Sequence, residues 1–182
     1  MYKVKQFFKR IYNLYRWLPI IWKDQDWDDH YIWEILKFKL KNQAKYIGTK
    51  DRHVSAKRDA EIMMLCTRLI DKLQTEYYLH EYNDYHQTES VFTPSESHPG
   101  SYEWDLKELN EHFDDYFKKY PLVYKKVLAD KKLQIFSIEP REGETEVDAK
   151  QRIAMNIGRY NHERARKLLF KIMEENIEGW WD

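Results

Sequence analysis

The most unusual chemistry in the chain lies in fourteen residues, Arg16-Trp17-Leu18-Pro19-Ile20-Ile21-Trp22-Lys23-Asp24-Gln25-Asp26-Trp27-Asp28-Asp29. Three indoles, one proline and four carboxylates share this stretch. An indole face can stack on a base, and a lysine or arginine beside it can hold phosphate. Arg16, Trp22, Lys23 and Trp27 are therefore candidate ligand-binding residues. Lys37 on the next element, and Arg164 and Arg166 late in the chain, complete the set. Asp24, Asp26 and Asp28 resemble the start of a calcium loop, but that pattern needs Gly at its sixth position and Glu at its twelfth. Asp29 and Ile35 stand there instead. Helix capping and salt bridges compete with a hard-cation site, for which the three aspartates are weak candidates.

Two further spacings carry chemistry. Glu76, His80 and Asp84 recur every fourth residue, so they share one face of a helix. Two of them could hold a metal, and a hydrated helix face gives the same pattern. His162 and Arg166, with Arg159 and Arg164 near them, read as a surface network or as an anion-binding cluster. There is no Gly-rich phosphate loop, no Ser or Cys nucleophile signature and no zinc spacing. No catalytic residue is singled out, an enzyme is the less favoured reading, and no cofactor is expected.

These residues must be positioned by helices. Five glycines and five prolines in 182 residues are few turn-formers, while long segments keep helical periodicity. Residues 2–16 predict an amphipathic helix, with Val4, Phe7, Phe8, Ile11, Leu14 and Tyr15 on one side. Lys3, Lys5, Lys9, Arg10 and Arg16 lie on the other, with no acid among them. That cationic side reads as a solvated face, or as a contact for an anionic ligand, an acidic partner or a membrane surface. Pro19 predicts an end to this helix near Trp17. A second helix runs from about Asp28 to Tyr46 and ends at Gly48. A third runs from Val54 to Asp84, with Ile62, Leu65, Cys66, Leu69, Ile70 and Leu73 in its core stripe. Residues 87–101, with Pro94, Pro99 and Gly100, predict a mobile surface loop. A fourth helix follows from Asp105 to Lys119, then an extended connector over 131–143. A fifth starts at a capping box formed by Thr145 and Asp148 and ends near Ile177. The expected fold is all-α, about five helices in a single compact bundle-like domain spanning 1–182. The terminal Trp180 and Trp181 should dock onto its body, beside the indoles of the amino end.

Composition narrows the classes. A chain that is 42% hydrophobic and 34% charged can build a core and is too polar for a membrane protein. Its longest apolar run, Trp17 to Trp22, falls far short of the ~20 residues a spanning helix needs. Zero net charge does not indicate a global nucleic-acid or membrane field. Cys66 is the one cysteine, which fits a reducing compartment, and its place on an apolar stripe predicts a buried inert thiol. No signal-peptide pattern is visible, so a cytosolic setting is expected.

RWLPIIWKDQDWDDHYIWEILKFKL near the start and ARKLLFKIMEENIEGWWD at the end cover roughly a quarter of the chain. In these motifs and their order the sequence resembles a group of uncharacterised small helical proteins of tailed bacteriophages. The resemblance implies a viral origin and action in the host cytoplasm, and it transfers no catalytic residue. Accessory phage proteins bind host factors or sequester nucleotide signals used in host immunity. The leading expectation is therefore a non-catalytic protein that captures a small anionic ligand, a nucleotide immune signal above others. The alternative is a protein-interaction or structural module docking on a host or phage protein, with homo-oligomerisation left open. A metal-dependent hydrolase at the aspartate cluster ranks last.

Overall fold

The computed structural model describes residues 2–23, 30–50, 53–139 and 141–181. It is mostly helical, 74% helix against 11% strand, as the periodicity requires. It is not a plain bundle of about five helices, because eight helices accompany a two-stranded sheet among the described residues. The chain divides into two compact units, one of Met1–Gln74 with Leu169–Asp182, the other of Thr75–Leu168.

The first unit begins with α1 (Tyr2–Ile21), followed by α2 (His30–Lys50) and α3 (Ala56–Gln74). α1 runs through Pro19 instead of ending at Trp17. In the last turn a proline forfeits one backbone donor, and the chain recovers with Trp22 N–H donating to the Leu18 carbonyl at 2.9 Å. α1 touches α2 near its C-terminal end, where the Trp17 and Phe38 rings meet edge to face, 4.7 Å between centroids. Arg16 donates to Asn42 beside them.

α2 and α3 pack as an antiparallel pair that buries Leu40, Ala44 and Ile47 against Met63, Cys66 and Ile70. Gly48 does not end α2, which continues to Lys50. A Cβ at Gly48 would sit 3.1 Å from that of Ala60, so the glycine allows close helix approach. Ile32 and Ile35 of α2 are exposed, while His30 and Glu34 on the same turns meet Gln74 at the end of α3. Burial pushes the Cys66 thiol up to about 11, consistent with an inert role. Of the terminal indoles, Trp180 is buried.

The third helix does not reach Asp84. It stops at Gln74, and Glu76 takes a left-handed conformation (φ 50) before α4 (Tyr77–His80) and a 3₁₀ turn over Glu81–Tyr85. Packing overrides the helical pattern here. The break lays the Tyr78 carbonyl against Gly158, where a Cβ would come within 2.5 Å of it.

Residues 86–111 form a hairpin, β1 (His86–Pro94) antiparallel to β2 (Tyr102–Glu111), with Phe92 opposite Trp104. This corrects both the loop expected over 87–101 and the helix expected from Asp105. Leu106 and Leu109 are spaced for a helix, yet Thr88, Val91 and Thr93 prefer a pleated backbone. Gly100 takes the left-handed turn between the strands (φ 93).

After the hairpin come α5 (Phe113–Lys119), α6 (Pro121–Ala129) and a short α7 (Lys131–Leu133). The connector read as extended continues helically, as a π turn over Gln134–Ile138. α8 (Glu146–Asn176) then begins at the expected capping box: Thr145 Oγ1 accepts from Asp148 N–H at 3.2 Å, and Asp148 accepts from Thr145 N–H at 3.1 Å. The core of this second unit joins Phe113, Tyr116 and Phe117 to Val123, Val127, Ile138, Ala154 and Ile157. Under it, the buried carboxylate of Glu81 accepts from Lys119 Nζ (2.6 Å), Tyr120 OH (2.7 Å) and Tyr77 OH (2.9 Å).

Candidate functional site

Arg152, Met155, Asn156 and Arg159 recur at i, i+3, i+4 and i+7, so α8 presents them on one face. The π turn over 134–138 sets Phe136 and Ser137 opposite that face, and the following bend supplies Arg141. Together they line a hollow of about 180 Å³. Gly143 (φ 82) closes the bend, and the Arg141 amide donates to Glu144 at 2.8 Å. Glu144 in turn receives the Arg152 guanidinium at 2.6 Å, and the same guanidinium donates to the Glu139 carbonyl at 2.8 Å. Arg152 is thereby fixed in place, and its Nε is buried without a partner among the described residues. Arg141 and Arg159 make no ion pair among the described residues and are exposed at the mouth.

Three arginines thus line one small space; the Arg152 guanidinium is already paired with Glu144, which leaves the exposed Arg141 and Arg159 for an incoming anion. Arginine presents planar paired donors suited to phosphate or carboxylate oxygens. Phe136, 70% exposed, offers a ring face beside them. The volume is below the ~300 Å³ of a typical small-molecule site. An adjoining hollow of about 450 Å³ shares Arg141, Arg152 and Met155 and adds Gln151 with the carboxylates of Glu142, Glu144 and Asp148. An anionic group can occupy the smaller hollow while the rest of a ligand extends into the larger. A separate hollow of about 460 Å³ between α2 and α3 is lined by Ala44, Ala60 and Met64 with Lys41, Lys45 and Arg68. It offers flexible ammonium groups on an apolar wall and no comparable guanidinium cluster.

The residues singled out in the sequence are placed elsewhere. Arg16 lies against α2, its guanidinium 5.8 Å from the Phe38 ring centroid and 5.6 Å from that of Tyr12. Trp22 is 80% exposed and Lys23 is exposed beside it. Lys37 is held by carboxylates, at Glu34 and at 3.1 Å from Asp71, and it also donates to Gln74 at 2.8 Å. Burial works against its charge, but the two acids outweigh that and raise its affinity for the proton, leaving little for an incoming anion. Arg164 and Arg166 are exposed on α8, in the other unit. Trp27, Asp24, Asp26 and Asp28 lie outside the described residues.

Glu76 and His80 do pair, at 3.1 Å, but Asp84 sits in the 3₁₀ turn beyond the helix. No group of three or more His, Cys, Asp or Glu side chains among the described residues could hold a metal ion. Sequence reading noticed Arg159 and missed its companions. Its signal was the polar i, i+3, i+4, i+7 row of α8, masked by the apolar row Ile153, Ile157 and Tyr160 beside it. No family model matches the chain, and no curated protein or solved structure matches it either.

Proposed function

We propose that this protein is a non-catalytic binding protein that captures a small anionic ligand, of which a nucleotide is the leading class. The observation that carries the reading is the cluster of Arg141, Arg152 and Arg159 around one hollow, with Phe136 exposed at its side. Guanidinium groups take phosphate oxygens, and a ring face takes a base. The bacteriophage origin, the host-cytoplasm setting and a host immune nucleotide as the ligand rest on the resemblance carried by the Trp/Asp and terminal Trp motifs. Within the earlier candidate set, Trp22 and Lys23 stay accessible to a ligand, whereas Lys37 is neutralised.

Isothermal titration of the folded chain against cyclic and linear nucleotides and inorganic phosphate tests this. Saturable heat with at least one nucleotide is expected. Arg159→Ala should weaken it by at least about tenfold, the worth of one charge-assisted hydrogen bond. No heat with any of them ends the reading. A second reading is favoured by α1, whose apolar side chains face outward: an interaction module that docks on another surface. Capture of a saturable partner that Phe7→Glu abolishes, with nucleotide titrations unchanged, supports it.

A further inference from the structure

Every turn of α1 exposes large apolar side chains, and none of its residues is buried. Val4, Phe7, Phe8, Ile11, Leu14 and Leu18 fall on one stripe at helical spacing, each between 48% and 65% exposed. Trp22, at the helix end, is 80% exposed. Arg16 and Trp17 join α1 to α2, and Ile20, one turn on, is half-buried. At roughly 100° per residue, Ile20 lies opposite Ile11, so the stripe points away from the helix's own docking side. A continuous apolar face of this size is not left to water without a partner.

Charge selects the partner. α1 carries Lys3, Lys5, Lys9, Arg10 and Arg16 and no acid. Pairing the stripe with that of a second copy would set two helices of five cations each side by side, with no carboxylate in either to offset them. A surface that is apolar beneath and anionic above accepts both halves of the helix at once. Tyrosine and tryptophan suit the boundary between the two layers. No described helix is long and apolar enough to cross a membrane, which leaves α1 lying in the surface plane as the geometry that fits.

We propose that α1 is a membrane-surface helix that lays its apolar stripe into the headgroup region of a bilayer rich in anionic phospholipid, with Lys3 and Arg10, on one flank of that stripe, on lipid phosphate. This rests on the docking reading of α1 and is independent of the arginine hollow.

Flotation of the full chain with vesicles tests it. Phosphatidylcholine alone is compared with phosphatidylcholine carrying roughly 30 mol% phosphatidylglycerol. Partition should be about tenfold or more stronger onto the anionic vesicles and should weaken with salt. The double variant Phe7→Glu with Ile11→Glu should stay in the lower fraction. Lys3→Glu with Arg10→Glu should lose the anionic preference. All four positions are exposed, and circular dichroism confirms that each variant is folded. Wild type that floats with neither vesicle, equal flotation with both, or variants that float as wild type does overturns the proposal. A wild-type dimer that Phe7→Glu with Ile11→Glu makes monomeric, or an acidic protein captured in place of vesicles, overturns the lipid while leaving the docking reading intact.

Discussion

α1 and α5 are built from similar material and use it in opposite ways. Both mix aromatic rings with lysine, yet α1 buries none of its twenty residues while α5 buries Phe113, Tyr116 and Phe117 out of seven. The difference lies in the neighbours. Around α5, rings close in from several elements: Tyr85 at 5.1 Å from Tyr116, His86 at 5.4 Å from Phe113, and Tyr124 stacked on Phe117 at 4.6 Å. α1 is met by α2 at Trp17 and Arg16. Amphipathic spacing tells that a helix has a face to cover. It does not tell whether this chain supplies the cover.

The largest expected effect tests the covered side. Tyr116 is fully buried, so Tyr116→Ala should cost about 3–5 kcal/mol in urea unfolding. A loss below about 1 kcal/mol would mean the aromatic nest is loosely packed, and the contrast with α1 would shrink to nothing.

Next is the carboxylate beneath that nest. Burial alone would push the Glu81 carboxyl up, but hydrogen bonds from Lys119, Tyr120 and Tyr77 outweigh it and hold it below its ordinary 4.5. The folded value is the depressed one, so its contribution is present above pH 4.5 and is lost as pH falls through the folded value. Lys119, raised above 10.5 chiefly by its hydrogen bond to Glu81, loses its share only as pH climbs past that value. Glu81→Gln should cost about 2 kcal/mol at pH 7, less than the roughly 3–5 kcal/mol of a fully buried pair because water reaches Lys119. It should also flatten the acid limb of a stability-versus-pH curve. An acid limb of unchanged slope would assign that limb to other carboxylates.

Gly158→Ala probes the same unit through the backbone. Its Cβ would lie 2.5 Å from the Tyr78 carbonyl oxygen, and backbone cannot swing aside as a side chain can. A loss of about 1–2 kcal/mol in thermal or urea unfolding is expected. Full tolerance would show that α8 and the turn after α3 approach less closely.

The contrast also explains what could be read from the residues alone. Capping at Thr145 and Asp148 was legible because it is a local bond between residues three apart. Burial of Cys66, Leu69, Ile70 and Leu73 was legible because the stripe of α3 packs along α2. The hairpin was not, since Leu106, Leu109 and Phe113 are spaced as a helix would space them and only pairing with Thr88–Thr93 settles the backbone. Nor was the end of α3, where contact between Tyr78 and Gly158, eighty residues on, decides. The arginine hollow draws on the π turn, the Gly143 bend and one face of α8, three segments that no spacing rule links.

The smallest effect tests the open side. Phe7 and Leu14 are 59% and 64% exposed, so truncating either to Ala removes little packing from the free protein. Each should change unfolding stability by no more than about 0.5 kcal/mol, the range of ordinary surface substitutions. On a surface that α1 docks to, the same two truncations should each weaken attachment, because their apolar area is then taken out of water. Stability loss without a binding loss would place the α1 stripe against the protein itself. Binding loss at constant stability separates the two helices by function: α5 spends its rings on folding, and α1 holds its rings for a partner.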